Sequence, residues 1–307
     1  MTVYRLAVIK LFIAAVIWGL SFTMVRWGLE SFTTTQLLFW RFAFAFVIGE
    51  FFFIIFNRTD FKKSNSDMKL ARNSGCFLGI TILFQIHGLN FTTATNSAFV
   101  TSTYVVMIPF VAYFLFKQKV KRHDILIALL ALVGMILLLN IIQKSGFSVS
   151  HFNYGDALTL VCAVTAAVQI ALISVYARKC VSTFRFNNYQ TLWALIVCLP
   201  FVIYESLTKH IGLWPQHVSP QALWGVSLLV FTVSILAFFL QVSAQKNLST
   251  ATASMLCLLE APFSFLFATL LLRESISFLQ AIGAFIIIFS AFASIYFEQK
   301  FPLPNRA

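Results

Sequence analysis

Apolar runs of membrane-spanning length follow one another along almost the whole chain, and short loops between them hold most of the charge. No other feature limits the fold so strongly. Hydrocarbon satisfies no backbone hydrogen bond, so only helices and closed barrels span it. Runs of about 20 residues, rather than alternating segments of about ten, select helices. The runs read as spans from Leu6 to Leu29, Gln36 to Phe56, Asn73 to Phe91, Ser97 to Phe116 and His123 to Ile142. The later spans run from Tyr154 to Ala177, Asn188 to Glu205, Gln221 to Gln241, Leu248 to Leu272 and Ser277 to Phe297. Composition supports the membrane reading: 60% of the 307 residues are hydrophobic and 10% are charged. Soluble domains carry roughly 25% charged residues.

The net charge of +12 invites a nucleic-acid reading, but the cations sit in the loops between apolar runs. That placement reports topology, so no nucleic-acid partner is expected. With the N-terminus placed inside, only Arg26, Lys144, Lys209 and Arg273 of the 22 Lys and Arg fall outside. Arg41 lies within the second span, and the rest fall inside. Both termini are then cytoplasmic. Arg5 and Lys10 precede the first run as in a signal peptide, but the run is too long for one and reads as a retained span.

The stretch from Asn247 to Ala291 has a counterpart near the end of the chain's first half. Thr95 matches Thr250 and Ala98 matches Ala253, about 155 residues apart, and Gly134 falls opposite Ser290 at nearly that offset. Pro109 and Pro262 stand a few residues out of register. Self-similar halves built from membrane spans mark a transporter of two repeats. Five spans per half is an odd number, so the second half enters the membrane upside down. The fold expected is all-α, integral membrane, with ten transmembrane helices as two five-helix inverted-topology repeats, residues 1–143 and 154–298.

The chain resembles the EamA-like branch of the drug/metabolite transporter superfamily over nearly its whole length. The residues that carry the resemblance are Ile17 to Phe22, Trp40-Arg41-Phe42, Phe99 to Ser102 leading to Pro109, and Leu259-Glu260-Ala261-Pro262. Leu272-Arg273-Glu274 leading to Gly283 completes the set. The first half departs from the pattern with Gln118-Lys119, where the family keeps an acidic residue like Glu274. The resemblance implies a ten-helix secondary transporter of small metabolites, often amino acids or related compounds, usually exported. It also leaves open import or exchange of a nucleotide-like metabolite. It places the protein in the cytoplasmic membrane of a bacterium, and the short loops agree.

Candidate site residues are the polar and aromatic groups inside the spans. Glu260 falls near the middle of its span, where a charge costs roughly 2.5 to 3.5 kcal/mol to insert. Two readings stand: a cavity carboxylate that binds a cation or a proton, or a protonated structural donor bent into place by Pro262. Trp18, Ser21 and Phe22 share a face of the first span, with Trp18 deep enough to stack on a solute. Thr101 and Tyr104 line the fourth. Gln169 and Gln241 are amides in apolar helices, able to line a cavity or to bond neighbouring helices. Gln85 and His87 point to different faces of one helix, and His87 reads as interfacial. Arg41 reads as snorkelling to the outer surface.

The five cysteines show no CxxC and no metal spacing, so neither a disulfide framework nor a metal is expected. No catalytic constellation or nucleotide-binding loop is evident, so no enzyme activity and no cofactor are expected. The expected partners are a small-molecule substrate and membrane lipids, with proton coupling through Glu260. The competing class is a non-transporting membrane scaffold or receptor.

Overall fold

The protein is described from a computed structural model that covers residues 2–56, 62–88, 91–92, 97, 100–118, 120–139, 142–143, 146–147, 153–272 and 277–301. Its helices are α1 (Val3–Leu29), α2 (Thr34–Phe56), α3 (Asp67–Gly88), α4 (Tyr104–Phe116), α5 (Arg122–Leu138), α6 (Tyr154–Tyr176) and α7 (Thr183–Lys209). Then come α8 (Pro220–Gln245), whose middle, Leu229–Ala237, is a π-helix, and α9 (Thr250–Leu258), α10 (Glu260–Leu272) and α11 (Phe278–Lys300). Between α5 and α6 lies a two-residue antiparallel pair, β1 (Ile142–Gln143) with β2 (Gly146–Phe147).

Helix starts are written in the local sequence. Asn153 and Ser277 each close a capping box, with Asp156 and Gln280. Ser182, Ser219 and Ser249 accept from backbone N–H groups of the first turns of α7, α8 and α9. Each satisfies a donor the helix cannot, worth about 1 kcal/mol.

Seven helices among the described residues are long and apolar enough to cross a membrane. Val100–Phe116 is a shorter apolar helix. The other two expected spans fall short for local reasons: α5 has 17 residues, and α3 opens on Asp67, Lys69 and Arg72. The ninth expected span is not continuous; it breaks into α9 and α10 at Leu259. The surface is apolar, with Phe51, Phe56, Phe114, Phe285 and Phe292 all exposed. Contiguous apolar surface of this kind suits lipid rather than water.

The packing has an internal symmetry. α3 packs on α6 and α7, and α8 packs on α1 and α2. α4 packs on α6, and α9 with α10 packs on α1. α2 meets α7, α5 meets α11, and α4 meets α9. Exchanging α1 with α6, α2 with α7, α3 with α8, α4 with α9–α10 and α5 with α11 returns the same set of pairs.

Several crossings between the chain's halves are close enough to require glycine, among them α5–α11 and α3–α6. A Cβ on Gly283 of α11 would lie 2.3 Å from the Leu138 nitrogen and 2.5 Å from the Gly134 oxygen of α5. A Cβ on Gly155 of α6 would lie 2.7 Å from the Gly88 oxygen of α3. The obstacles are backbone, which cannot yield as a side chain can. The first turn of α1 meets the last turns of α11, where the Tyr4 hydroxyl lies 3.3 Å from both the Ile295 carbonyl and Glu298 Oε2.

Candidate functional site

Pro262 shapes the site. It has no N–H to offer the Leu258 carbonyl, so the helix cannot run through unbroken. The break falls at Leu259, whose N–H turns to the Leu256 carbonyl, and the regular helix pattern resumes with the Phe263 N–H on the Leu259 carbonyl. Glu260 thereby becomes the first residue of α10 and lies in its first turn. A helix start presents unbonded N–H groups and a partial positive charge, which favours a carboxylate.

The first half has a break at the matching place. Val100 to Ser102 is helical, Thr103 is a turn, and α4 begins at Tyr104. At the offset of 155 that pairs Thr95 with Thr250, Thr103 falls opposite Leu258 and Tyr104 opposite Leu259, so the two breaks lie one residue out of register. The matched segments pack against each other. Glu260 is within electrostatic reach of Tyr104, of Cys162 on α6, and of Cys257 one turn back on α9. Thr101 Oγ1 lies 4.0 Å from Cys162 Sγ.

Glu260 is half-buried, whereas Tyr104, Cys162 and Cys257 are buried. Hydroxyl pairs join the surrounding helices: Ser97 with Thr159 at 3.3 Å, and Thr81 donating to Thr165 at 2.9 Å. Such bonds inside a membrane contribute about 0.6 kcal/mol each, at most about 1.7. They orient the helices more than they stabilise them.

Trp18 belongs to a neighbouring group. Its ring sits 5.6 Å from that of Phe238 on α8, and its buried Nε1 has no protein partner. α1 reaches this depth because Gly19 lets it close on α10: a Cβ there would lie 2.7 Å from Phe263 Cβ. The Ser21 hydroxyl donates to the Trp18 carbonyl of its own helix at 2.7 Å. Gln241 follows Phe238 by about one turn and is buried, with an unpaired Oε1. Gln169 is buried about two turns along α6 from Cys162, with an unpaired Nε2. The Phe22 side chain, Thr95, Phe99, Arg273 and Glu274 lie outside the described residues.

The reading of Arg41 is corrected. It does not snorkel; it is 5% exposed, and its Nε donates to Ser234 Oγ on α8 at 2.8 Å. α2 is pressed against α7 and α8 there, so the side chain turns inward. His87 is exposed, its ring 5.5 Å from that of Phe91. Sequence reasoning passed over Cys162 and Asn187. Cys162 shows only as a position two turns from Gln169, and the Asn187-Asn188 pair in an apolar helix was the one available signal.

The EamA-like transporter family matches the chain twice, over residues 5–140 and 153–296. An uncharacterized transporter of Archaeoglobus fulgidus is 32% identical over 276 residues, 90% of this chain and 81% of the relative. The uncharacterized transporter YetK of Bacillus subtilis is 23% identical over 73% of this chain and 67% of its own length. A solved crystal structure superposes with a TM-score of 0.75 at 16% identity, covering 94% of this chain and 97% of that one, a likeness of fold alone. The chain, built of two copies of one helical repeat, is a multi-pass membrane transporter rather than an enzyme, and it belongs to the EamA-like transporter family.

Proposed function

We propose that the protein is a secondary transporter that exports a small metabolite, an amino acid or a related compound, by alternating access. In this reading ten helices cross the cytoplasmic membrane of a bacterium as two inverted repeats, residues 1–143 and 154–298, with both termini cytoplasmic. The α9–α10 pair counts as one crossing, and Val100–Phe116 as another. The loop cations support the orientation.

The observation that carries the proposal is the pair of helix breaks, at Thr103 and at Leu259, in helices α4 and α9–α10, with α4 packed on α9 and Glu260 within electrostatic reach of Tyr104. Transporters of inverted repeats bind their solutes at such discontinuous helices, where free backbone ends and a few polar groups face a cavity. Glu260 takes the cationic group of the solute or a proton, and Tyr104 and Thr101 offer hydroxyls. Trp18 and Phe238 supply an apolar wall, with Gln169 and Gln241 below it. Proton coupling through Glu260 follows if the carboxylate exchanges its proton as each side opens.

The test is flux into proteoliposomes with a panel of radiolabelled amino acids and nucleotide-like solutes. Saturable uptake of an amino acid, lost in Glu260→Gln while folding is kept, is the expected result. No flux of any solute favours a scaffold. Flux confined to nucleotide-like solutes moves the substrate class. A Glu260→Gln variant with wild-type flux and an unchanged pH profile makes the carboxylate structural.

A further inference from the structure

We infer that Arg41, together with Asn187, forms the subsite that holds the carboxylate end of the transported solute; this rests on the transporter reading above. Two arginines are buried between α2 and α7, and the fold treats them differently. Arg185 is 2% exposed and is neutralised: Nη2 lies 3.3 Å from Glu50 Oε2, and Nη1 donates to Ser64 Oγ at 3.0 Å. Arg41 is buried as deeply, yet the ion pairs among the described residues are His123–Asp124, Arg185–Glu50 and Lys209–Glu205. Among the described residues its Nε meets the Ser234 hydroxyl, and the Phe42 ring centre lies 5.4 Å from its guanidinium carbon. A cation held at membrane depth beside no counter-charge is costly and marks a functional position. A guanidinium presents a planar fork of donors that fits a carboxylate with two parallel bonds.

Asn187 supplies the second observation. It is 3% exposed, and its Nδ2 donates to the Ser234 carbonyl at 3.2 Å and to the Ile235 carbonyl at 3.4 Å. Its Oδ1 is buried with no protein partner. Arg41 and Asn187 therefore grip the same residue, one by its hydroxyl and the other by its carbonyl. Between them they present an unmatched charge and an unmatched acceptor. Ser234 lies inside the π segment of α8, and π turns recur at functional sites because they re-aim side chains and free carbonyls. About one turn along α8 come Phe238 with Trp18 on it, and one turn further Gln241 with its unpaired oxygen. The ligand chemistry is an anionic carboxylate at Arg41 with an N–H donor a few bonds away at Asn187 Oδ1.

The experiment uses the full chain in nanodiscs of phosphatidylcholine. Thermal unfolding is followed with a panel of L-amino acids, with the carboxamide of each, and with chloride and inorganic phosphate. The result expected is a raised midpoint for at least one amino acid but not for its carboxamide or for either inorganic anion. In Arg41→Gln that shift disappears while the ligand-free midpoint stays near wild type, and the KM for flux rises about tenfold or more, which is 1.4 kcal/mol. If Arg41→Gln does not fold, Arg41→Lys takes its place: loss of the shift supports the subsite, and an unchanged shift overturns it. Equal shifts for acid and carboxamide overturn it, as do equal shifts from an inorganic anion. Wild-type flux of an amino acid in Arg41→Gln removes the subsite and leaves the transporter standing. No binding and no flux in the wild type removes both.

Discussion

The two helix breaks at the middle of the bundle are matched in position but not in chemistry. The first, at Thr103, opens α4 on a buried phenol, and the second, at Leu259, opens α10 on a half-buried carboxylate. Their prolines also sit differently. Pro262 lies in the first turn of α10, where its missing N–H would have had no partner within that helix. Pro109 lies in the second turn of α4, where the missing bond to the Val105 carbonyl is internal. One repeat has thus kept the architecture of the break, and the other has added a group that can carry charge. Duplication supplies the paired breaks, and the difference between the copies supplies the asymmetry that the proposed binding of a solute with two different ends requires.

The sharpest test of that difference is to remove the charge from one break and the hydroxyl from the other. Glu260→Gln should lower flux by about two orders of magnitude with little change in thermal stability, since the amide keeps the shape and the hydrogen bonding. Tyr104→Phe should lower it only severalfold. Comparable losses at both sites would mean that the two copies contribute alike and that Glu260 has no special role.

A strong effect is also expected where the repeats meet. Gly283→Leu drives a side chain into the backbone of α5 and should destabilise the fold by about 3 kcal/mol or more, read as a loss of thermal midpoint. Both breaks depend on this scaffold, so flux and stability should fall together, unlike in Glu260→Gln.

The prolines divide stability from function. Pro109→Ala restores an internal helix bond and should raise stability by about 1 kcal/mol, within the roughly 3 kcal/mol that separates the two residues in a helix interior. Pro262→Ala should change stability less and flux more, because it allows α9 and α10 to fuse across Leu259. If Pro262→Ala transports normally, the break at Glu260 is not needed.

The smallest effect is one of access. A cysteine in place of Thr101 should react with a water-soluble thiol reagent, and one in place of Ile287, 1% exposed in the seam between helices, should not. Equal labelling would place the cavity on the wrong face of α4.

Much of this was legible in the residues. Glu260 was marked by its depth in an apolar run, and the Thr95–Thr250 register located its counterpart region. Tyr104 was legible as a polar group inside its span, but its electrostatic reach to Glu260 was not, because such reach between helices is not a property of either one. Arg41 was misjudged because a long side chain near a helix end snorkels unless a neighbouring helix prevents it, and α8 does. The Ser21 hydroxyl donates to the turn before it, a choice that a helical wheel does not register.

The sequence by itself determined the solvent, the helices and the duplication. Each follows from local composition: apolar length, caps such as Asn153 and Ser277, prolines, and the register of one half on the other. The tertiary structure decided which polar groups are left without partners. Arg185 meets Glu50 across the α2–α7 contact, and Arg41 meets no carboxylate among the described residues, although both arginines are buried. Whether a buried charge is neutralised depends on which residues of other helices stand within a few ångströms of it. Helix packing alone sets those distances, down to close crossings such as the one that Gly283 allows between α11 and α5.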